Sequence, residues 1–191
     1  MQEVSVTEQK RALRTRFLAL RRAISAQERS AWDAALVREI ANHPAFLAAD
    51  ALLLYAPVKG EPDLLALFEA ARARGICCGF PRCEGKVMTF HRVDALSALE
   101  EGRFGIPTPP KEAPVLLPTP NTLCILPALA ATKGGERLGY GGGFYDRYLS
   151  QHSPYPLLGI YQALLTDHLP TEPTDKRARA VITEKGVLPL A

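Results

Sequence analysis

Residues 51–80, ALLLYAPVKGEPDLLALFEAARARGICCGF, decide the fold class. The run at 51–55 is continuously apolar and closes at Pro57, Gly60 and Pro62, the pattern of a strand buried on both faces. Pro62 in a first turn, apolar Leu64, Leu65, Leu67 and Phe68, and Gly75 as a stop predict a helix over 62–74. Residues 75–80 read as the next strand. Strand, helix, strand is a βαβ unit, and such crossovers build parallel sheets. The expected class is α/β: a mainly parallel sheet with helices on both faces.

Upstream of this unit, Leu13, Phe17 and Leu20 recur at helical spacing and predict an amphipathic helix over 7–23 with Thr7 as its N-cap. Ser25 and Glu28 form a capping-box signature for a second helix over 26–40, ending near Asn42, His43 and Pro44. Together the two read as an N-terminal helical hairpin. Downstream, residues 87–93 alternate like a half-exposed strand near a sheet edge. Pro107, Pro109, Pro110, Pro114, Pro118 and Pro120, with Pro127 just beyond, mark 104–120 as an ordered surface loop or linker. Residues 123–126 are a further buried strand, 128–143 a loop leading into a helix over 144–150, and 157–161 and 179–183 complete the sheet. There is no internal repeat, so residues 1–191 read as one domain.

Composition narrows the function classes. The chain has 191 residues, 23 Lys+Arg against 20 Asp+Glu for a net charge of +3, and is 47% hydrophobic, which excludes disorder, collagen and coiled coil. Its longest apolar runs, 48–58 and 123–131, are interrupted and fall short of the roughly 18 residues of a membrane span. No apolar stretch follows the basic residues near the N-terminus, so no secretory signal is expected and the location reads as cytoplasmic. Cys77, Cys78, Cys83 and Cys124 lack CxxC spacing, which argues against zinc and disulfides. His43, His91, His152 and His168 have no partner at ligand spacing, and Trp32 reads as packing. The charge is too small to argue for nucleic acid, although Lys10, Arg11, Arg14, Arg16, Arg21 and Arg22 cluster on the first helix.

The chemistry is concentrated in 133–147, KGGERLGYGGGFYDR, where six of the fifteen residues are glycine. Glycines let the backbone turn its N–H groups inward at a helix N-terminus and form an anion nest, and Arg137, Arg147 and Lys133 add positive charge. Phosphate is the natural guest. Neither a Walker A loop nor a Gly-x-Gly-x-x-Gly fingerprint is present. Asp146 adds negative charge beside this nest, which points to a divalent cation bridging it to the phosphates, hence a magnesium nucleotide.

Residues 137–147, RLGYGGGFYDR, resemble the signature of the 5-formyltetrahydrofolate cyclo-ligase family, also called 5,10-methenyltetrahydrofolate synthetases. Further pieces follow in the family's order: Lys10-x-x-x-Arg14 with Arg21, Tyr55 with Glu61, Phe80-Pro81-Arg82, Gly105-Ile106-Pro107 and Leu126-Pro127. The resemblance implies ATP- and Mg2+-dependent conversion of 5-formyltetrahydrofolate to 5,10-methenyltetrahydrofolate, ADP and phosphate through an iminophosphate. It needs no enzyme nucleophile.

Carried over by position, the resemblance implies an ATP site of Lys10, Arg14, Arg137, Leu138, Gly139, Tyr140, Gly141, Gly142, Gly143, Phe144 and Tyr145. Tyr55, Glu61, Tyr140, Gly141, Gly142, Gly143 and Phe144 would contact the folate, Glu61 and Arg137 would be catalytic, and Asp146 and Asp175 would hold magnesium. The chain departs from the family pattern at Phe144, where tyrosine is commoner, and at Thr174 and Ala178 around Asp175. The expected partners are small molecules, a reduced folate and ATP, with no nucleic acid and no membrane, and the chain is expected to be a monomer. The alternative is a nucleotide or sugar-phosphate binding protein without turnover. A nucleic-acid module using the basic helix is disfavoured by the few aromatics near residues 10–22.

Overall fold

The structure, a computed structural model, describes residues 5–189. It opens with two capping boxes. Ser5 caps α1 (Val6–Ala23): its hydroxyl accepts the Glu8 N–H while the Glu8 carboxylate accepts the Ser5 N–H. The cap is Ser5 rather than Thr7, because Thr7 has Lys10 three residues on, which offers no acceptor. Ser25 and Glu28 start α2 (Ala26–Ala41) in the expected way, and the short α3 (Pro44–Leu47) follows.

The βαβ unit forms as β1 (Ala51–Leu53), α4 (Ala66–Ala73) and β2 (Cys77–Glu84). The helix is shorter than 62–74. Asp63 Oδ1 accepts the Leu65 N–H, and the Asp63 N–H is itself held by Asp33 Oδ1 on α2, so Pro62 to Asp63 stay in the loop and α4 begins only at Ala66. β3 (Val87–Arg92) pairs antiparallel with β2.

The chain then makes a small ribbon, β4 (Glu100–Glu101) and β5 (Pro107–Thr108), before the buried β6 (Leu123–Leu126). The proline-rich stretch is a strap along the outer edge of β3. The Arg92 N–H donates to Pro114 O and the Leu116 N–H to Phe90 O, so part of an otherwise open edge is covered.

The expected loop 128–143 contains a second ribbon, β7 (Ala130–Ala131) and β8 (Arg137–Leu138), turning at Thr132 to Gly135. It leads into α5 (Phe144–Gln151) and β9 (Tyr155–Gly159). β9 starts two residues before the expected 157. Pro156 is tolerated there because Tyr155 donates to Thr122 O on the β6 side, whereas the missing Pro156 donor would face β10 (Ala180–Thr183) before its pairing begins at Leu157. A final edge strand, β11 (Gly186–Leu188), was not expected from the sequence.

The main sheet has the order β11-β10-β9-β6-β1-β2-β3, with β10, β9, β6, β1 and β2 parallel and the two edge strands antiparallel. Leu52, Leu53, Ile125, Leu157 and Val181 are completely buried. Burying each such side chain stabilises the fold by about 1.5–3 kcal/mol, which is why the central strands read as unbroken apolar runs. α2 and α4 cover one face, where Phe68 meets Phe80. α5 covers the other through Tyr148 against Phe90 on β3.

The N-terminal helices do not rest chiefly on each other. α2 lies on β10, β11 and α4, while α1 packs toward the turn at Gln162–Leu164. No helix among the described residues is long and apolar enough to cross a membrane.

Candidate active site

From β1 the chain proceeds to β2 on one side, and β6 then joins β1 on the other. In open α/β sheets the crevice outside the carboxyl ends of such a reversal is the natural ligand site. Here it is a cleft of about 1720 Å³. Pockets for one small ligand run to roughly 300–1,000 Å³, so this cleft has room for two.

Every residue to which the resemblance gives a role borders the cleft, whereas Lys133, expected to add charge to the anion nest, is not part of its lining. α1 contributes Lys10 and Arg14, the segment after β1 contributes Tyr55 and Glu61, and β8 contributes Arg137 and Leu138. Gly139 to Gly143 and the start of α5, Phe144, Tyr145 and Asp146, form one wall, and Asp175 enters from the loop before β10. Pro81, Arg82, Ile106, Pro107 and Pro127, quoted above without a role, also border it.

The glycine-rich wall is held from behind. Arg14 Nε donates to Gly139 O at 2.9 Å and Arg147 Nη2 to Gly142 O at 2.9 Å. Gly141, at φ +96°, lies under the Arg14 guanidinium, whose central carbon would be 3.2 Å from a Cβ there. Gly143, at φ +63°, is the N-cap of α5 and offers no side-chain acceptor. The arginines therefore occupy loop carbonyls, and the first-turn N–H groups of α5 are left for an anion.

The acidic pair lies near this wall. Asp146 Oδ1 accepts Arg137 Nη2 at 2.8 Å and the Lys176 N–H at 3.0 Å. Asp175 Oδ2 accepts Lys10 Nζ at 2.6 Å and the Glu172 N–H at 2.8 Å. The Lys176 contact ties Asp146 to the residue after Asp175, so the two carboxylates share one end of the cleft. Arg137 supplies the charge balance that the sequence argument assigned to a metal alone. Lys10 is not part of a solvated basic face: its side chain is only 9% exposed and also pairs with Glu172 at 2.7 Å. Burial would lower the Lys10 pKa, but the two carboxylates outweigh it and raise it above the ordinary value.

Magnesium fits this donor set. Among the described residues no three acidic, histidine or cysteine side chains form a cage. Mg2+ typically takes one or two carboxylates together with substrate phosphates and water, and the contacts given above engage one oxygen of Asp146 and one of Asp175.

After β1, Glu61 is buried in a tight loop, its Oε2 accepting the Val58 N–H at 2.9 Å while the Glu61 N–H donates to Val58 O. Burial raises its pKa above the ordinary carboxylate range, opposed by the Val58 bond, Arg21, Tyr140 and Lys59. Tyr55 donates its hydroxyl to Pro62 O, so it offers the cleft its ring. The Tyr140 phenol is pushed up to about 12 by burial and by Glu61.

Sequence reasoning missed the rim. Arg103 and Phe104 at the tip of the β4–β5 ribbon border the cleft, as do Lys59, Glu172 and Lys176. Phe104 is 85% exposed, and Gly102 and Gly105 around it were a legible turn signal. Glu172 carried no signal, since its partner Lys10 is 162 residues away.

Comparison with known proteins follows the same line. Residues 6–184 match the model of the 5-formyltetrahydrofolate cyclo-ligase family. A mouse protein named 5-formyltetrahydrofolate cyclo-ligase is 25% identical, with 96% of this chain and 98% of that protein aligned. One of the same name from Mycolicibacterium smegmatis is 30% identical over 71% of this chain and 75% of its own. The NMR structure of Aquifex aeolicus 5,10-methenyltetrahydrofolate synthetase superposes with a TM-score of 0.84 at 30% identity, covering 95% of this chain and 92% of that one.

Proposed function

The chain belongs to the 5-formyltetrahydrofolate cyclo-ligase family, a family of enzymes, and from that premise we propose that its cleft converts 5-formyltetrahydrofolate and ATP to 5,10-methenyltetrahydrofolate, ADP and phosphate. One observation carries the reading: a glycine-rich anion nest backed by Arg14 and Arg147 shares a cleft with a buried carboxylate, Glu61.

The formamide oxygen is a poor leaving group. Its attack on the γ-phosphorus, with ADP departing, turns it into a phosphate ester of the imidate. The N10 lone pair then attacks the formyl carbon, the C–O bond breaks, phosphate leaves, and the N10 proton is lost. The residues need only position and stabilise charge. The N–H groups of 139–145 and the start of α5 would hold the phosphates, and Arg137 would offset charge on the transferring group. Glu61 would accept N–H donors of the pterin, and Tyr55 and Phe144 would present rings to it. Asp146 and Asp175 would hold Mg2+, which when bound neutralises phosphate charge.

The direct test mixes the purified protein with 5-formyltetrahydrofolate, ATP and Mg2+ and follows the near-ultraviolet absorbance of the methenyl product. An ATP-dependent rise is expected. No rise, with ATP still bound by calorimetry, would favour the phosphate-binding protein without turnover.

Replacing Lys10 and Arg14 by Ala is expected to raise the apparent KM for ATP by about ten- to a hundredfold, the worth of hydrogen bonds to charged groups. The folate KM should change less than about threefold, because both residues lie at the phosphate end. Equal effects on the two substrates would contradict this division of the cleft.

A further inference from the structure

Arg21 is completely buried, yet no carboxylate among the described residues forms a direct ion pair with it. Its Nη2 donates to Ala128 O just past β6, its Nη1 donates to the Tyr140 hydroxyl at 2.9 Å, and its Nε has no partner. A desolvated guanidinium held only by neutral oxygens is unfavourable unless an opposite charge lies close by. That charge is Glu61. The Tyr140 hydroxyl, which accepts from Arg21, is also close enough to the Glu61 carboxylate for each group to shift the other's pKa. The Arg21 stem also packs beside Gly60, where a Cβ would sit 3.5 Å from Arg21 Cγ and 3.0 Å from Arg29 Nη1 of α2.

We propose that Arg21 is a positioning residue: through the Tyr140 hydroxyl and the packing of its stem beside Gly60, it supplies the buried positive charge that holds the Glu61 carboxylate aimed into the cleft. The inference rests on the reading of Glu61 as a substrate-holding carboxylate. The groups facing Glu61 are Arg21 from α1, Tyr55 after β1, Lys59 in its own loop, Tyr140 from the glycine-rich wall and, farther off, Tyr145 at the start of α5. Lys59 also lies over the Tyr140 ring, at 5.6 Å, toward the cleft. Of Arg21, Lys59 and Arg29, whose guanidinium reaches the neighbouring Gly60, Arg21 is the one shut away from solvent, and its influence is therefore the least screened. A phenol polarised from one side by a guanidinium is a stronger donor to a carboxylate on the other.

The test is a carboxyl-carbon NMR titration of protein labelled in its glutamates, with the Glu61 signal assigned by its absence in Glu61→Gln. In Arg21→Met, which keeps the stem and removes the charge, the Glu61 midpoint is expected to rise by about one pH unit. In Arg21→Lys, which keeps the charge but not the fork, it should stay within about half a unit of the parent. Tyr140→Phe removes only the bridging hydroxyl and should raise the midpoint by an intermediate amount, so it carries the test if Arg21→Met does not fold. A Glu61 midpoint unchanged in the folded Arg21→Met protein, or in Tyr140→Phe if that protein must stand in, overturns the proposal.

The acid limb of kcat/KM for the folate, measured on the same proteins, separates the two readings. A limb that moves with the NMR midpoint supports both. An NMR midpoint that moves while the limb stays put upholds Arg21 and discards the assignment of Glu61 to turnover.

Discussion

Glu61→Gln is expected to lower kcat/KM for the folate by about two to three orders of magnitude, the cost of losing one charged partner in a desolvated site, while costing no stability at neutral pH. The two halves of this expectation come from the same burial. Glu61 is only 6% exposed, and its carboxylate already accepts the Val58 N–H. A glutamine carbonyl can accept that bond, so the loop that carries it is kept. What disappears is the negative charge facing the cleft.

Burial raises the folded-state pKa of Glu61 above the ordinary carboxylate value that it has in the unfolded chain. Between those two values the folded state binds the extra proton, so the contribution of Glu61 to stability is fully present below the unfolded pKa and is lost as pH rises through the folded one. Glutamine does not titrate. The parent should therefore lose stability relative to the variant across the weakly acidic range, and the variant should be equally or more stable above it. Thermal unfolding of both proteins between about pH 4 and pH 8 reads this difference directly. A variant that keeps activity within a few fold, or that unfolds far more easily at neutral pH, would make Glu61 a structural residue.

The uneven legibility of this chain has physical causes. The parallel core could be read because strands covered on both faces must be apolar throughout, and residues 51–55 and 123–126 are. The capping box at Ser25 could be read because it is local. Ser5 carries the same local signal, with Glu8 three residues on, and it forms the cap in place of Thr7. α4 is shorter than hydrophobic periodicity predicts, because the bond by which Asp63 Oδ1 accepts the Leu65 N–H lies outside that pattern. β7 and β8 lie within the expected loop because strands of two residues leave no period, and Glu136-Arg137 after Gly134-Gly135 breaks any apolar pattern.

At the site, the glycines and arginines of the loop that forms one wall of the cleft were legible from a single stretch, 133–147. Their partners were not. That Lys10 faces Glu172 and Asp175, or that Arg21 reaches Tyr140, depends on how α1 is laid over the carboxyl ends of the strands, and more than a hundred residues separate each pair.

Asp146→Asn should have the larger effect on turnover, a fall of about a thousandfold, equivalent to roughly 4 kcal/mol of transition-state stabilisation. The geometry makes this substitution informative. Asp146 Oδ1 accepts from Arg137 Nη2 and from the Lys176 N–H, and an asparagine carbonyl can accept both, so the junction between α5 and the loop before β10 stays closed. The Arg137 side chain, 6% exposed, then faces a neutral amide instead of a carboxylate. Asp146 is itself 23% exposed, so solvent screens the lost attraction, and the expected destabilisation is about 1–2 kcal/mol.

A modest shift in thermal midpoint together with a large loss of turnover is the signature of a charge needed at the phosphate end rather than of a damaged fold. The second readout is nucleotide binding. Calorimetric titration of the parent with ATP should tighten as Mg2+ is added, whereas in Asp146→Asn the Mg2+ dependence should flatten, because one of two carboxylates at that end has become neutral. In Glu61→Gln, whose change lies at the folate end, the Mg2+ dependence of nucleotide binding should match the parent. If Asp146→Asn turns over normally with an unchanged Mg2+ titration, Asp146 is only the partner of Arg137, and any metal at this end of the cleft must rely on Asp175 and the phosphates.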